Sequence, residues 1–238
     1  MPQPDYFVGL DLGQAQDFTA LCVLERHYPR WAAAELPDYH VSYLHRWPLG
    51  TAYPSIVADV KTLAGSPPLR GQASIAVDQT GVGRAVVDLL RRAPVPGTLV
   101  PILITAGHAV TRGEDGSRHV PKKELVSALQ VLLQTHRIKI ARSLPDAEVL
   151  AKELENFRVK ITVAANELYE AWREGQHDDL VLAVAMAAWL VERRQRCDPW
   201  ATVPARDNPA PAPDWQGKLL QRSERQPRTG PLRNLFGV

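Results

Sequence analysis

Short apolar runs separated by polar breaks dominate the first hundred residues. Residues 6–12 and 19–25 are two such runs, and the break between them, from Gly13 to Asp17, carries turn residues. That pattern predicts a β-hairpin. A third strand is expected over residues 39–47, where Val41, Tyr43 and His45 alternate with Ser42, Leu44 and Arg46. Residues 51–64 have a helical spacing, with Pro54 suited to a first turn. A β-α unit follows: a strand over 73–78, a turn over 79–83 and an amphipathic helix over 84–93. Pro94, Pro96 and Gly97 stop that helix, and residues 99–104 form another apolar strand.

Residues 107–119 are polar and contain glycines, which predicts a loop, and Pro121 opens a helix over 122–135. Ala147, Leu150, Ala151 and Leu154 lie at helical spacing, so a further helix is expected over 145–156. Residues 158–163 alternate and suggest a strand. A last, strongly apolar helix begins at His177-Asp178-Asp179 and runs to about residue 196. An antiparallel meander followed by alternating strands and helices implies an α/β fold, a mixed sheet whose later strands are parallel, with helices on both faces.

Past residue 197 the composition changes. Pro199, Pro204, Pro209, Pro211 and Pro213 crowd together, and Lys218, Arg222, Arg225, Arg228 and Arg233 face a single acid, Glu224, beyond residue 217. Such a segment buries too little apolar surface to offset its ordering entropy. The expected division is therefore a globular domain over 1–197 and a Pro/Arg-rich disordered tail over 198–238.

The composition agrees with a globular domain: 45% of the 238 residues are hydrophobic and 23% charged. A formal net charge of +2 excludes a chain that binds nucleic acid through bulk charge, so any such surface must be local. Cys22 and Cys197 lie far apart without zinc-like spacing, and no disulfide framework is implied. No signal peptide precedes the first strand, and residues 180–191 are too few to span a bilayer. These readings place the protein in the cytoplasm, away from membranes.

Against this background four acids stand out. Asp11 interrupts an apolar strand, Asp78 ends another just before a glycine turn, and Asp178 and Asp179 open the last helix. If the first and fourth strands pair in parallel, Asp11 and Asp78 lie side by side at the carboxyl end of the sheet, where open α/β sheets bind ligands. Grouped carboxylates repel unless a cation sits between them. Hard oxygen donors suit Mg²⁺ or Mn²⁺, and two such ions about 4 Å apart can activate water and stabilise the leaving oxygen of a phosphodiester. Each acid also has a structural alternative. Asp11 could bond to hairpin backbone, Asp78 could cap the following helix, and one of Asp178 and Asp179 could cap the last helix while the other binds metal. Asp17, in the turn, and His177 are candidates for supporting the site.

Phe7-Val-Gly-Leu-Asp-Leu-Gly13 with Asp17-Phe-Thr-Ala20, Ile75-Ala-Val-Asp-Gln-Thr-Gly-Val-Gly83 and Gly175-Gln-His-Asp-Asp-Leu-Val-Leu-Ala183 together resemble the motifs of the nuclease domain of phage terminase large subunits. That domain belongs to the RNase H-like group, and the resemblance covers residues 5–195. It implies that Asp11 and Asp78 are metal ligands, with Asp179 as the third and Asp178 beside it. Leu182-Ala183 stands where the family often has Asp-Ala, which removes one acid. The implied function is a metal-dependent endonuclease acting on double-stranded DNA during phage genome packaging, in a phage- or prophage-infected host. Alternatives are a Holliday-junction-resolvase-like nuclease, an actin-like nucleotide-binding protein, suggested by Gly9-Leu-Asp-Leu-Gly13, and a non-catalytic scaffold. No Gly-x-x-x-x-Gly-Lys-Ser/Thr phosphate loop occurs, so either the chain works with a separate ATPase motor, with that motor or the portal engaged through the tail, or the resemblance reflects fold and not packaging. Arg112, Arg118, Lys122 and Lys123, around the loop at 107–119, and Arg84, after Asp78, are candidates for phosphate contacts.

Overall fold

The hairpin and third strand expected near the N-terminus are present in the computed structural model as β1 (Tyr6–Asp11), β2 (Ala20–His27) and β3 (Asp38–Arg46). Then come α1 (Tyr53–Gly65), β4 (Ala73–Asp78), α2 (Gly83–Arg92), β5 (Thr98–Thr105), β6 (Thr111–Arg112), β7 (Arg118–Pro121), α3 (Lys122–Gln134), β8 (Ile138–Ile140), α4 (Ala147–Val163) and α5 (Asp179–Cys197). The structure describes residues 5–13, 17–28, 36–70, 72–163 and 178–197, the side chains of 156–163 and 194–197 excepted. His177 and the expected tail at 198–238 lie outside the described residues.

The strands form one eight-stranded sheet in the order β6-β7-β5-β4-β1-β2-β3-β8. β1–β2, β2–β3 and β6–β7 are antiparallel, while β1–β4, β4–β5, β5–β7 and β3–β8 are parallel. Side-chain alternation along the strands gives the sheet two apolar faces. Tyr6, Val8, Leu10, Ile75 and Val77 pack with Ile56, Val60, Val86 and Leu90 of α1 and α2. Phe7, Cys22, Leu24, Ala76 and Ile102 pack with Leu125 and Leu129 of α3, Leu150 of α4 and most of α5. The expected mixed sheet with helices on both faces is therefore what the chain forms.

Two expectations are corrected, and one strand was not foreseen. The polar stretch at 107–119 is not a plain loop: it carries the β6–β7 hairpin, with Thr111 opposite His119 and Arg112 opposite Arg118. β7 runs straight into α3, with Pro121 as the residue before its first turn. The alternating residues at 158–163 are not a strand but the last turns of α4. No proline or glycine interrupts Ala147–Val163, and extending an existing helix costs far less than starting a new element. Finally, β8 pairs with β3 although its three residues carry too little pattern to be read in advance.

α5 is the most buried element. From Asp179 to Val191 only Leu182 is less than fully buried, because the helix lies between the sheet and the helices α3 and α4. Its approach to β1 is very close. A Cβ at Gly9 would sit 1.9 Å from the carbonyl oxygen of Ala183 and 3.1 Å from the amide nitrogen of Ala187. Only glycine at this strand position lets the helix backbone rest on the sheet. On the opposite face, Trp47 Nε1 donates to Asp59 Oδ2 at 3.0 Å and ties α1 to the end of β3. Burial pushes the Asp59 carboxyl up to about 6, against the lowering effect of the Trp47 hydrogen bond.

Gly9→Ala is expected to lower the unfolding free energy by about 3 kcal/mol, measured by urea denaturation. Gly107→Ala, whose added methyl would meet only Thr105 Oγ1 at 3.5 Å, serves as the neutral control. An unchanged midpoint for Gly9→Ala would contradict the close approach. A raised carboxyl pKa means that the folded state holds the proton more tightly than the unfolded chain, so stability is greatest at low pH and declines as pH rises through about 6. Asp59→Asn keeps an acceptor for Trp47 and removes that decline. Its thermal melts should converge with wild type near pH 4 and lie above it at pH 7–8; parallel profiles would refute the assignment.

Candidate active site

Two strands and one helix bring the acids together. β1 and β4 run parallel with Leu10 beside Val77, so the residues that follow, Asp11 and Asp78, end neighbouring strands at one level. Asp11 falls on the face of Phe7 and Asp78 on that of Ala76, the side covered by α5. Asp179 precedes Ala183 by one helical turn, and Asp11 follows Gly9 by two strand residues. The Gly9–Ala183 contact thus fixes the acid on the helix against the acid on the strand.

Asp11, Asp78 and Asp179 are all buried, and Asp178 is half-buried. The consequence is electrostatic. Desolvation raises the Asp11 carboxyl well above the usual carboxylate range, and the charges of Asp78, Asp179 and Asp178, in that order, raise it further. Lys122, the first residue of α3, acts in the opposite sense. Its place follows from topology: β7 lies beyond β5 in the sheet, and α3 starts where β7 ends, on the edge where β1 and β4 also end.

The turn after β4 is tightly built. Asp78 Oδ1 accepts from the Thr80 amide at 2.8 Å, so this acid braces the turn rather than capping α2, whose N-cap is Val82. A Cβ at Gly83 would lie 2.1 Å from the Asp78 carbonyl oxygen, so the glycine lets α2 start directly against the end of β4. Gln79, buried, donates from Nε2 to Asp115 Oδ2 at 2.9 Å, which docks the tip of the β6–β7 hairpin on this turn. Hydrogen bonds from Ser117 and Gln79 hold the Asp115 carboxyl below the usual range, and Arg84 stands 3.9 Å away.

A residue that spacing alone did not single out completes the arrangement. Glu153, buried on α4, accepts through Oε2 from the amides of Leu180 at 3.1 Å and Val181 at 3.2 Å. Its Oε1 lies 3.5 Å from the Arg46 guanidinium, which stacks 4.2 Å above the Phe18 ring. Burial pushes the Glu153 carboxyl up to about 7 against the two amides and Arg46, and Asp179 adds to the rise. In the sequence Glu153 sits beside the apolar stripe of Leu150 and Leu154, and nothing local marks it as buried.

The remaining candidates separate. Asp17 is exposed in the β1–β2 turn and is not among the charges acting most strongly on Asp11. Arg84 is exposed at the start of α2, Arg112 and Arg118 are cross-strand partners in the hairpin, and Lys123 Nζ lies 2.9 Å from His108 Nδ1. Lys122 belongs with the acids.

The donor set is all oxygen and, apart from half-buried Asp178, buried, with like charges acting on Asp11, and a divalent cation would relieve that repulsion. Among the described residues no three His, Cys, Asp or Glu side chains are already gathered at ligating spacing. The fit therefore rests on charge and donor chemistry.

A mixed sheet with an opening antiparallel meander, closed by a buried helix that delivers carboxylates to the ends of the central strands, defines an RNase H-like domain. Residues 8–189 match the family described as the terminase RNaseH-like domain, and the chain belongs to that family. Terminase large subunits of Thermus phage G20c and Thermus virus P23-45 are each 26% identical over 186 residues, covering 78% of this chain and 32% of theirs. The chain thus spans about a third of the length of the curated relatives it matches. In three dimensions it resembles the large terminase nuclease of phage G20c, at 23% identity and a TM-score of 0.50, over 79% of this chain and 82% of that one. This likeness agrees with the fold. Among the described residues no helix is long and apolar enough to cross a membrane.

Because ionised Asp11 is disfavoured in the folded chain, its contribution to stability is lost as pH rises through its raised pKa. In EDTA at neutral pH, Asp11→Asn should therefore melt above wild type, with the difference shrinking towards acid pH. A variant that melts below wild type in EDTA would show that the carboxylates do not repel as described.

Proposed function

We propose that the chain is a metal-dependent endonuclease that hydrolyses phosphodiester bonds of double-stranded DNA, acting in phage genome packaging in the host cytoplasm. The observation that carries this reading is the convergence of Asp78, Asp179 and Asp178 on the buried carboxyl of Asp11. Membership of the terminase RNaseH-like domain family supports it and weighs against an actin-like nucleotide site.

Asp11, Asp78 and Asp179, with Asp178 beside them, would hold the ions. A pair of Mg²⁺ or Mn²⁺ ions supplies an activated water and charge stabilisation for the leaving 3′ oxygen. The chain's own residues do the rest. Burial of Asp11 and the brace from the Thr80 amide to Asp78 hold the carboxylates in place with little reorganisation. Lys122, within the field of the acids, offsets part of their charge, which otherwise repels a phosphate. Arg84, Arg112, Arg118 and Lys123 lie around the hairpin and the start of α3, where contacts to the phosphate backbone would position DNA without reading its sequence. A role in packaging would call for a separate motor or the portal as a partner.

The test is cleavage of supercoiled, linear and four-way-junction DNA with Mn²⁺, Mg²⁺ or EDTA. Wild type should cut duplex DNA only with metal, and Asp78→Asn should lose at least about a hundredfold in rate. Preference for the junction would instead favour a resolvase. No cutting under any condition, together with ATP binding, would overturn the nuclease reading.

A further inference from the structure

The first turn of α5 carries two of the acids, and its backbone is not held in the usual way. The Leu182 amide donates to the Asp178 carbonyl at 2.9 Å, which makes Asp178 the N-cap residue. An N-cap aspartate ordinarily accepts from the amides two and three residues on. Here those are Leu180 and Val181, and both donate to Glu153 Oε2 at 3.1 and 3.2 Å. We infer that Glu153 is a positioning residue: it caps α5 from a neighbouring helix, so that the turn bearing Asp178 and Asp179 is fixed against Asp11.

Three further observations carry this. Glu153 is 7% exposed, so its carboxylate is bound to the two amides in a low-dielectric setting where such bonds are strong. The helix N-terminus attracts an anion there, which offsets the cost of a buried charge beside Asp179. Arg46 reaches the other oxygen from β3 at 3.5 Å and stacks on Phe18 of the β1–β2 turn, so α4, β3 and that turn converge on the start of α5. Capping is thereby transferred from an acid of the site to a residue outside it. The functional half of this inference rests on the nuclease reading above; the structural half does not.

Amide hydrogen exchange on the full chain, read at Leu180 and Val181, tests the structural half. The two amides have no intrahelical acceptor, so their protection reports Glu153 directly. Half-saturation by Mn²⁺, read by thermal shift and by DNA cleavage, tests the functional half. Glu153→Asp keeps charge and polarity but draws the carboxylate back, and should lose protection at both amides and raise the Mn²⁺ half-saturation about tenfold. Glu153→Gln keeps an accepting oxygen at full reach and should restore both. Unchanged protection in Glu153→Asp overturns the inference. So does lost protection with an unchanged Mn²⁺ half-saturation in a wild type that cuts, because a merely structural cap gives that result. A wild type that neither responds to Mn²⁺ nor cuts DNA defeats the nuclease reading, and the exchange result then decides whether Glu153 is the cap.

Discussion

The contact between Gly9 and the backbone of Ala183 governs more of this structure than any other. It allows a helix to lie against the central strand with no side chain between them, and the small residues on either side extend that approach: Ala76 and Cys22 from the sheet, Ala187 and Ala188 from α5. The place of the helix acids depends on it. Strand pairing alone sets Asp11 beside Asp78, but a helix held one methyl further out would carry Asp179 away from both. The core and the site are thus one construction, in which apolar packing of α5 does the work of alignment.

Electrostatics runs against that packing. Three carboxylates act on the buried Asp11, and its burial together with their repulsion disfavours its charge. The fold tolerates this because α5 is packed into the core from Asp179 to Val191 and because charges nearby are compensated. Lys122 offsets the acids at one end of the site, and Arg46 stands beside Glu153 at the other. The surrounding core bears this local destabilisation.

Much of the framework was legible in the sequence, for identifiable reasons. The elements from β1 to β5 are long enough for alternation or helical spacing to show, and turn residues bound them. Asp11 and Asp78 stand out because an acid within or at the end of an apolar strand needs a reason, and parallel pairing of their strands makes them neighbours. Other features were hidden. β6 and β8 have two and three residues, too few for a period to register. The alternation at 158–163 was a real pattern with the wrong meaning, since a helix already under way overrides it. Glu153 and Lys122 are the instructive cases. Glu153 has no local mark, and Lys122 is marked only as a basic residue for phosphate contacts, because what sets their surroundings is supplied by residues far along the chain: the amides of α5 for one and the ends of β1 and β4 for the other.

The brevity of the outermost strands also bears on assembly. The sheet ends in β6, two residues long, on one side and in β8, three residues long, on the other. Very short edge strands are one of the ways natural sheets discourage a second chain from pairing with them. Strand addition, a common route to both specific docking and aggregation, finds only two and three residues to pair with on these outermost strands. Contacts made instead by side chains on helices and loops can be formed and released without opening the sheet.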